Sequence, residues 1–399
     1  MRKRLGIIGT GSAGILSLSH FLSHLDNEWE ITSIYDPNKP ILGIGESSNP
    51  SFITALEKGC EFNMHDDSHE LDGTYKFGTM WKNWRDKTFL GPLLGGSCAI
   101  HFNNFKLKEF TFPRFRRMWP NKFKELTGVV SEVKNVGTHV NIIVDDQEHQ
   151  FDYIIDCMGF PTDWTHYNIR PDMPVNHCLV HNKEIPGDWE YTGHRATRNG
   201  WMFEIPLTSR QSYGYLFNDT ITSVEDAKAD FAKEIDVPVE ELNNIEYKFQ
   251  SYYSTAVCDG RIMKNGNRAI FFEPISATSI YMYDQANKIF FNYLVGHFKT
   301  KEQVNEAFSS VAHAIEELIY WFYHGGSIYD TEFWQKTMAK TKPLVQSSKM
   351  LRELIPSFRK WGSKEAPVHA DTWFFAPHLM LQLDRNFGYN YLQVPKNAI

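Results

Sequence analysis

The chain of 399 residues contains no uninterrupted apolar run of the ~18 residues a membrane-spanning helix needs. It carries no positive surplus either: 41 Lys and Arg stand against 48 Asp and Glu, a net charge of −7. Nucleic-acid binding normally requires a basic face. The one dense basic knot, Arg114, Arg116 and Arg117, reads as a solvated surface. Cysteine is sparse and unpatterned. Cys60, Cys98, Cys157, Cys178 and Cys258 are odd in number and widely scattered, with no CxxC pair and no Cys/His spacing suited to a metal. A disulfide framework and a metal centre are therefore not expected, and reduced thiols in a cytoplasmic protein are. Internal repeats, low-complexity tracts and long linkers are missing too. The start runs straight into an apolar strand and a glycine turn, which does not resemble a signal peptide.

What the chain has in quantity is aromatic residues: 11 Trp, 18 Tyr and 29 Phe, 15% in all. They fit a large aromatic core or a pocket walled by flat rings, the second suiting an aromatic ligand.

The strongest local signal is Gly9-Thr10-Gly11-Ser12-Ala13-Gly14. An apolar strand at 5–8 precedes it, an apolar-periodic helix at 12–25 follows, and a second strand at 30–35 ends at Asp36. In this β-α-β context Gly9 permits the tight turn and Gly11 lets a pyrophosphate approach backbone N–H groups. Gly14 allows close helix–strand packing, and Asp36 stands where an acid meets a ribose hydroxyl. The helix N-terminus, with Ser12 and Ala13, faces the phosphates. A dinucleotide is expected; this turn alone leaves FAD and NAD both open.

Further along, residues 42–50 read as a glycine-rich loop. Residues 74–84 fit either a strand or a helical face. Residues 129–144, 151–155 and 201–217 read as sheet. Thr300 and Gln303 form a capping box ahead of a helix with Val304, Phe308, Val311, Ile315, Leu318 and Phe322 on one stripe, stopping near Gly325-Gly326. An apolar strand runs into Asp156 and Gly159, a pattern common in FAD-dependent oxidoreductases. The pieces interleave, so contiguous domains are not expected.

Taken in order, Gly9-x-Gly11-x-x-Gly14, Gly43-Ile44-Gly45-Glu46-Ser47-Ser48-Asn49-Pro50, Lys76-Phe77-Gly78, Asp156-Cys157-Met158-Gly159-Phe160, Trp201-Met202-Phe203-Glu204-Ile205-Pro206 and Glu273-Pro274-Ile275-Ser276-Ala277-Thr278-Ser279-Ile280 form a set. This set resembles the flavin-dependent halogenases of the tryptophan-halogenase type, in a short, divergent form similar to viral-type members. The family's signature is Trp-x-Trp-x-Ile-Pro, and here Phe203 stands for the second Trp. Asp330-Thr331-Glu332-Phe333-Trp334 is similar to a later family stretch. The resemblance covers roughly residues 5–335.

The resemblance implies an α/β fold: a GxGxxG FAD-binding, Rossmann-like core of the flavin-monooxygenase type, with a β-sheet substrate region and a reduced C-terminal helical module. It places the halogenase core in residues 1–335 and a helical or irregular segment closing the substrate pocket in 336–399. It implies FAD, delivered as FADH2 by a separate reductase, together with O2, a halide ion and an aromatic small-molecule substrate. No nucleic acid, membrane or metal is implied, and a homo-oligomer is admitted. Halide is oxidised to hypohalous acid, which passes to the substrate. That requires a wall between flavin and substrate, assigned to Trp201, Phe203, Ile205 and Pro206, and a group that holds the oxidant, assigned to Lys76. Gly45, Glu46 and Ser47 lie in the loop expected to pass over the flavin. Asp156, Gly159, Glu273 and Ile280 are placed with the cofactor, Glu273 as a structural rather than catalytic group. Thr278 and Ser279 match the turn that binds halide, and His101 fits a position on the substrate side.

Two departures shape the expected substrate. Where many members carry a second carboxylate, this chain has Ser276, which cannot act as a carboxylate base at neutral pH. Electron-rich rings such as phenols lose the arene proton with little help. The short C-terminal part implies a more open pocket, so free tryptophan is not the expected substrate, and bromide or iodide is expected over chloride. The main competing reading is a flavin-dependent monooxygenase that hydroxylates its substrate directly. Others are a nicotinamide dehydrogenase, for which only one GxGxxG turn is visible, and a flavin-binding protein without activity.

Overall fold

The structure, a computed structural model, describes residues 2–44, 46–93, 97–243, 245–348 and 377–389. The chain divides into two compact units that interleave in sequence. The first comprises Met1–Thr74, Ala99–Ile169 and Tyr252–Ala312; the second comprises Tyr75–Cys98, Arg170–Ser251 and His313–Ile399.

The first unit is built on a five-stranded sheet in the order Ile262–Lys264, Tyr153–Asp156, Lys3–Ile8, Trp29–Tyr35, Phe123–Thr127. Every neighbouring pair in it is parallel. Parallel neighbours require crossover connections, and the helix Ser12–His24 supplies the first. Strands covered on both faces read as near-continuous apolar runs, as in Leu5, Ile7 and Ile8. The span 129–144, read as sheet from sequence, resolves into a hairpin of Val130–Asn135 and Val140–Val144, with Gly137 at φ 90° in its turn. Its Val140, Ile142 and Val144 pack with Ile8, Ile34 and Ile154 of the parallel sheet in one apolar cluster. The structure bears out the Rossmann-like parallel core.

The second unit is built on a seven-stranded sheet in the order Ile245–Lys248, His177–Lys183, Gln211–Phe217, Gly200–Pro206, Thr192–Thr197, Gly78–Trp84, Lys87–Pro92. All its pairs are antiparallel except Thr192–Thr197 with Gly78–Trp84. The ambiguous stretch 74–84 is therefore extended, as the strands Thr74–Lys76 and Gly78–Trp84. Side chains alternate between the faces, so the two faces differ sharply. One carries Leu179, Met202, Tyr215 and Phe217, covered by Ala227 and Phe231 of the helix Val224–Glu234. The other carries Trp81, whose ring stacks on Phe322 at 4.6 Å, and Trp84 packs edge-on against Tyr323 and Trp334.

The capping box forms as expected: Gln303 N donates to Thr300 Oγ1, and Thr300 N donates to Gln303 Oε1. The helix Lys301–Tyr323 buries Val304, Phe308, Ile315, Leu318 and Phe322, while Val311 is half-buried and Ala312 takes the buried position beside it. Of the C-terminal part, the helices Glu332–Gln346 and Pro377–Asn386 are described. Among the described residues, no helix is long and apolar enough to cross a membrane.

Candidate active site

In the first unit, three glycines of the N-terminal turn have distinct reasons to be there. Gly9 has φ 104°, the left-handed region that favours glycine, and a Cβ there would stand 2.6 Å from the Cys157 carbonyl oxygen. A Cβ on Gly14 would stand 1.9 Å from the Gly9 carbonyl oxygen. Gly11 is different: no atom lies within 4 Å of where its Cβ would be. Gly159, at φ 89°, is open in the same way. These two glycines follow neighbouring parallel strands, in which Ile8 pairs with Asp156. The helix Ser12–His24 begins at Gly11 with no side-chain cap and no acidic residue in its first turn. Open space, free helix-terminal N–H groups and strand C-termini together fit the diphosphate of a dinucleotide.

The surrounding polar groups hold the shape of this cradle. Ser12 Oγ donates to Asn104 Oδ1 at 2.8 Å, and Asn104 Nδ2 donates to the Leu42 carbonyl at 2.7 Å. Ala13 is buried against Gly266. Asp36 is half-buried and accepts from Asn38 N at 2.8 Å. Asp156 accepts from Met158 N at 3.0 Å and from Arg268 Nε at 2.9 Å, so its carboxylate ties the turn after the strand to Arg268. Glu46 is buried and its carboxylate accepts from Asn104 N at 3.1 Å, at the start of the helix Asn104–Met118. Ser47 pairs with His101 in an antiparallel bridge, and Ser48 exchanges hydrogen bonds with Ile100. His101 is fully buried, with Nδ1 2.9 Å from Thr74 Oγ1. Gly45 lies outside the described residues.

The segment Glu273–Ile280 makes a sharp entry into the helix Thr278–Leu294. Ser276 (φ 57°) and Ala277 (φ 55°) are both left-handed, a conformation that costs a non-glycine residue ~1 kcal/mol or more. Thr278 Oγ1 donates to the Glu273 carbonyl at 3.2 Å. Thr278 N donates to the Ile275 carbonyl, and no side chain caps the helix, so within its first turn the N–H groups of Ser279 and Ile280 are the ones that suit an anion. Glu273 is fully buried and Ser276 half-buried.

In the second unit, Lys76 is 3% exposed. Burial pulls its pKa down from 10.5 to about 7. Phe77, next to it, is 44% exposed. On the strand Gly200–Pro206, alternation places Trp201, Phe203 and Ile205 on one face, all buried. Phe203 pairs with Gly214, and a Cβ there would come 2.1 Å from its ring, so the ring lies flat over the glycine. Pro206 points to the opposite face with Glu204, and Gly187 sits against it. On that face Glu204 accepts from Lys82 and Arg195, each at 2.7 Å. The wall residues are thus three on one face and one on the other.

The structure also brings in residues not singled out from sequence. His194 pairs with Phe203 across one ladder and with Trp81 across the other. Its ring meets Trp201 at 5.1 Å and Trp81 at 4.8 Å, both edge-on. The alternation of 201–217 was readable, but which strand would lie beside it was not.

One unit thus holds a glycine turn that fits a diphosphate, and the other a buried lysine. A sequence model of the family described as tryptophan halogenase matches residues 4–136 and 121–376. The chain belongs to the tryptophan halogenase family. It is 21% identical to tryptophan 7-halogenase of Lentzea aerocolonigenes over 96% of this chain and 87% of that one. The fold is similar to that of a flavin-dependent halogenase from Xanthomonas campestris, with a TM-score of 0.80 at 19% identity, over 100% of this chain and 91% of that one. It is also similar to a tryptophan halogenase of Shewanella frigidimarina, with a TM-score of 0.79 at 15% identity over the same shares. This family member is a flavin-dependent halogenase, an oxidoreductase. The family's chemistry calls for FAD, O2 and halide, with an aromatic substrate and a separate flavin reductase.

Proposed function

We propose that this halogenase acts on an electron-rich ring, a phenol, an indole or similar, with hypohalous acid held by Lys76. The observation that carries this reading is the buried Lys76 with a pKa of about 7. At neutral pH such a group is poised between two useful forms. As an ammonium it donates a hydrogen bond to the oxygen of hypohalous acid and polarises the O–halogen bond. As an amine it attacks the halogen, forming a haloamine and releasing water. Bound reduced flavin, with O2, supplies the two-electron oxidation of halide to hypohalous acid.

The chain's own residues divide the remaining tasks. Gly9, Gly11, Ser12, Ala13 and Gly14 hold the cofactor diphosphate, Asp36 the ribose, and Asp156, Gly159, Glu273 and Ile280 its further contacts. Glu46 and Ser47 belong to the loop over the flavin; Gly45, assigned with them, lies outside the described residues. The turn at Thr278 and Ser279 holds the halide, with the Ser279 N–H as its donor, since the Thr278 N–H is bonded to the Ile275 carbonyl. Trp201, Phe203 and Ile205, backed by Pro206, keep organic substrate apart from the oxidising centre, and His101 stands on the substrate side. Ser276 offers no carboxylate to take the arene proton, so a ring that loses it readily is favoured. Bromide and iodide are cheaper than chloride to desolvate and oxidise, which suits this site. The expected closing role of the C-terminal segment 336–399 falls largely on residues outside those described, which end at 348 and resume only for 377–389.

The test is a panel of phenols, indoles and free tryptophan against chloride, bromide and iodide, with a flavin reductase, read by mass spectrometry. Brominated or iodinated phenol or indole is expected to dominate. Chlorinated product in excess sinks the halide preference, and a product gaining one oxygen without halide indicates a monooxygenase. Lys76→Ala is expected to lose about 10³-fold in rate with FAD affinity retained.

A further inference from the structure

The turn after the strand Tyr153–Asp156 carries Gly159, the second open glycine of the first unit. Strand register sets this turn beside the N-terminal one. Ile8 pairs with Asp156, Cys157 N donates to the Ile8 carbonyl at 2.9 Å, and a Cβ on Gly9 would stand 2.6 Å from the Cys157 carbonyl oxygen. By itself the Gly159 turn is a poor place for an anion. It holds the buried Asp156 carboxylate, and the carbonyls of Met158 and Phe160 flank the glycine. Each of these negative ends meets a cation. Arg268 Nε donates to Asp156 Oδ2 at 2.9 Å, and Arg268 Nη1 donates to the Phe160 carbonyl at 3.3 Å. Lys39 Nζ, on an exposed side chain, donates to the Met158 carbonyl at 3.5 Å. Arg268 is held in its turn. Its own carbonyl accepts from Tyr167 Oη at 2.7 Å, and Gly266 of the same short helical turn lies against Ala13 of the helix Ser12–His24.

Like charges repel more strongly where water is scarce, so a bare carboxylate beside a diphosphate site weakens it. We propose that Arg268 is a positioning residue for the cofactor diphosphate: it cancels the Asp156 charge and ties back the Phe160 carbonyl, so that an anion can settle at the open glycines. This rests on the reading of the Gly9–Gly14 turn as a diphosphate cradle. A guanidinium suits the task because it is always charged and its donors spread in a fixed fork. One side chain thereby serves a carboxylate and a carbonyl at once. Asp156 has a task of its own, since its Oδ1 accepts from Met158 N at 3.0 Å and so shapes the turn. The diphosphate meets Asp156 and Arg268 as a neutral pair. The pair is largely withdrawn from water, with Asp156 7% and Arg268 23% exposed at the side chain. Lys39 is the lesser helper, because solvent screens its charge. Arg268 acts through the turn and is not a ligand of the phosphates.

The test is calorimetric titration of the full-length apoprotein with ADP, which carries the diphosphate and no flavin ring. Arg268→Gln leaves the carboxylate uncancelled and is expected to weaken ADP about tenfold. Adding Asp156→Asn removes the second charge and is expected to bring the affinity back to within about threefold of the parent. The ratio between Arg268→Gln and the parent is expected to shrink as salt is raised, because added ions screen the carboxylate. A turn distorted by the substitution keeps its loss at all salt concentrations, and that result overturns the proposal. Parental affinity in Arg268→Gln overturns it as well. So does a loss that persists in the double variant, which makes Arg268 a direct ligand of the phosphates. If ADP does not bind the parent, the cradle reading falls and the proposal with it. Should Arg268→Gln give no cooperative thermal transition, Asp156→Asn is read alone. It leaves the Arg268 charge uncancelled and is expected to tighten ADP about tenfold; unchanged or weaker binding overturns the proposal.

Discussion

Gly11 and Trp201 stand in regions built on opposite rules. Around Gly11 the protein keeps side chains away: a Cβ would meet nothing within 4 Å, the helix behind it has no cap, and Gly159 on the adjacent strand is equally open. Around Trp201 the protein crowds side chains together. Trp201 is fully buried, Phe203 lies on Gly214, and His194 is clasped between two indoles. A cofactor cradle needs exposed N–H groups and room for phosphates. The aromatic face of Gly200–Pro206 is filled by close packing, and burial likewise lowers the Lys76 pKa. Glycine therefore has two meanings in one chain. Gly11 opens on space, whereas Gly14 and Gly214 make room for the protein's own atoms.

That contrast can be broken by substitution. The largest effect on stability is expected from Trp201→Ala, about 4 kcal/mol by chemical denaturation, because a buried indole leaves a large cavity. Gly14→Ala comes next, at about 3 kcal/mol or more, since its Cβ would press on the rigid Gly9 carbonyl. Phe203→Trp, which restores the family's usual residue, is expected to cost about 2 kcal/mol, because the larger ring has to fit over Gly214. Gly11→Ala is the sharpest test. It should change stability by less than about 1 kcal/mol, yet weaken FAD binding in a fluorescence titration. If it destabilises the apoprotein as much as Gly14→Ala does, the distinction between the two glycines is lost. At the small end, Arg117→Ala is expected to change stability by less than about 0.5 kcal/mol, because its pair with Glu61 is exposed.

Lys76 connects the contrast to pH. Its folded pKa of about 7 lies below the unfolded value of 10.5. Between those values unfolding takes up a proton, so stability rises with pH across that window. The burden of the buried charge is full below pH 7 and gone above 10.5. Lys76→Met should therefore raise the thermal midpoint more at pH 6 than at pH 9. An equal rise at both would mean that the lysine is not buried as a charge.

Much of the first region was legible in the sequence because its signals are local. Glycine at three fixed positions, a strand before and a helix after specify the turn without reference to distant residues. The capping box at Thr300 was legible for the same reason. The alternation of Trp201, Phe203 and Ile205 identified a strand with one aromatic face. Other features depend on partners far along the chain. Glu46 reads as a loop carboxylate, but in the fold it accepts from Asn104 N, 58 positions away. Residues 74–84 satisfied both periodicities until pairing with Lys87–Pro92 and Thr192–Thr197 made them extended.

By itself, the sequence determined the glycine turn and the parallel β-α-β start through short-range spacing, and the family and the Lys76 candidate through the resemblance that its ordered motifs carry. Only the tertiary structure decided which strands lie beside Gly200–Pro206. It also decided that His194 lies between Trp81, 113 positions away, and Trp201, with a bare Nδ1. These follow from strand register and packing, which bring together residues more than a hundred positions apart. No local pattern encodes them.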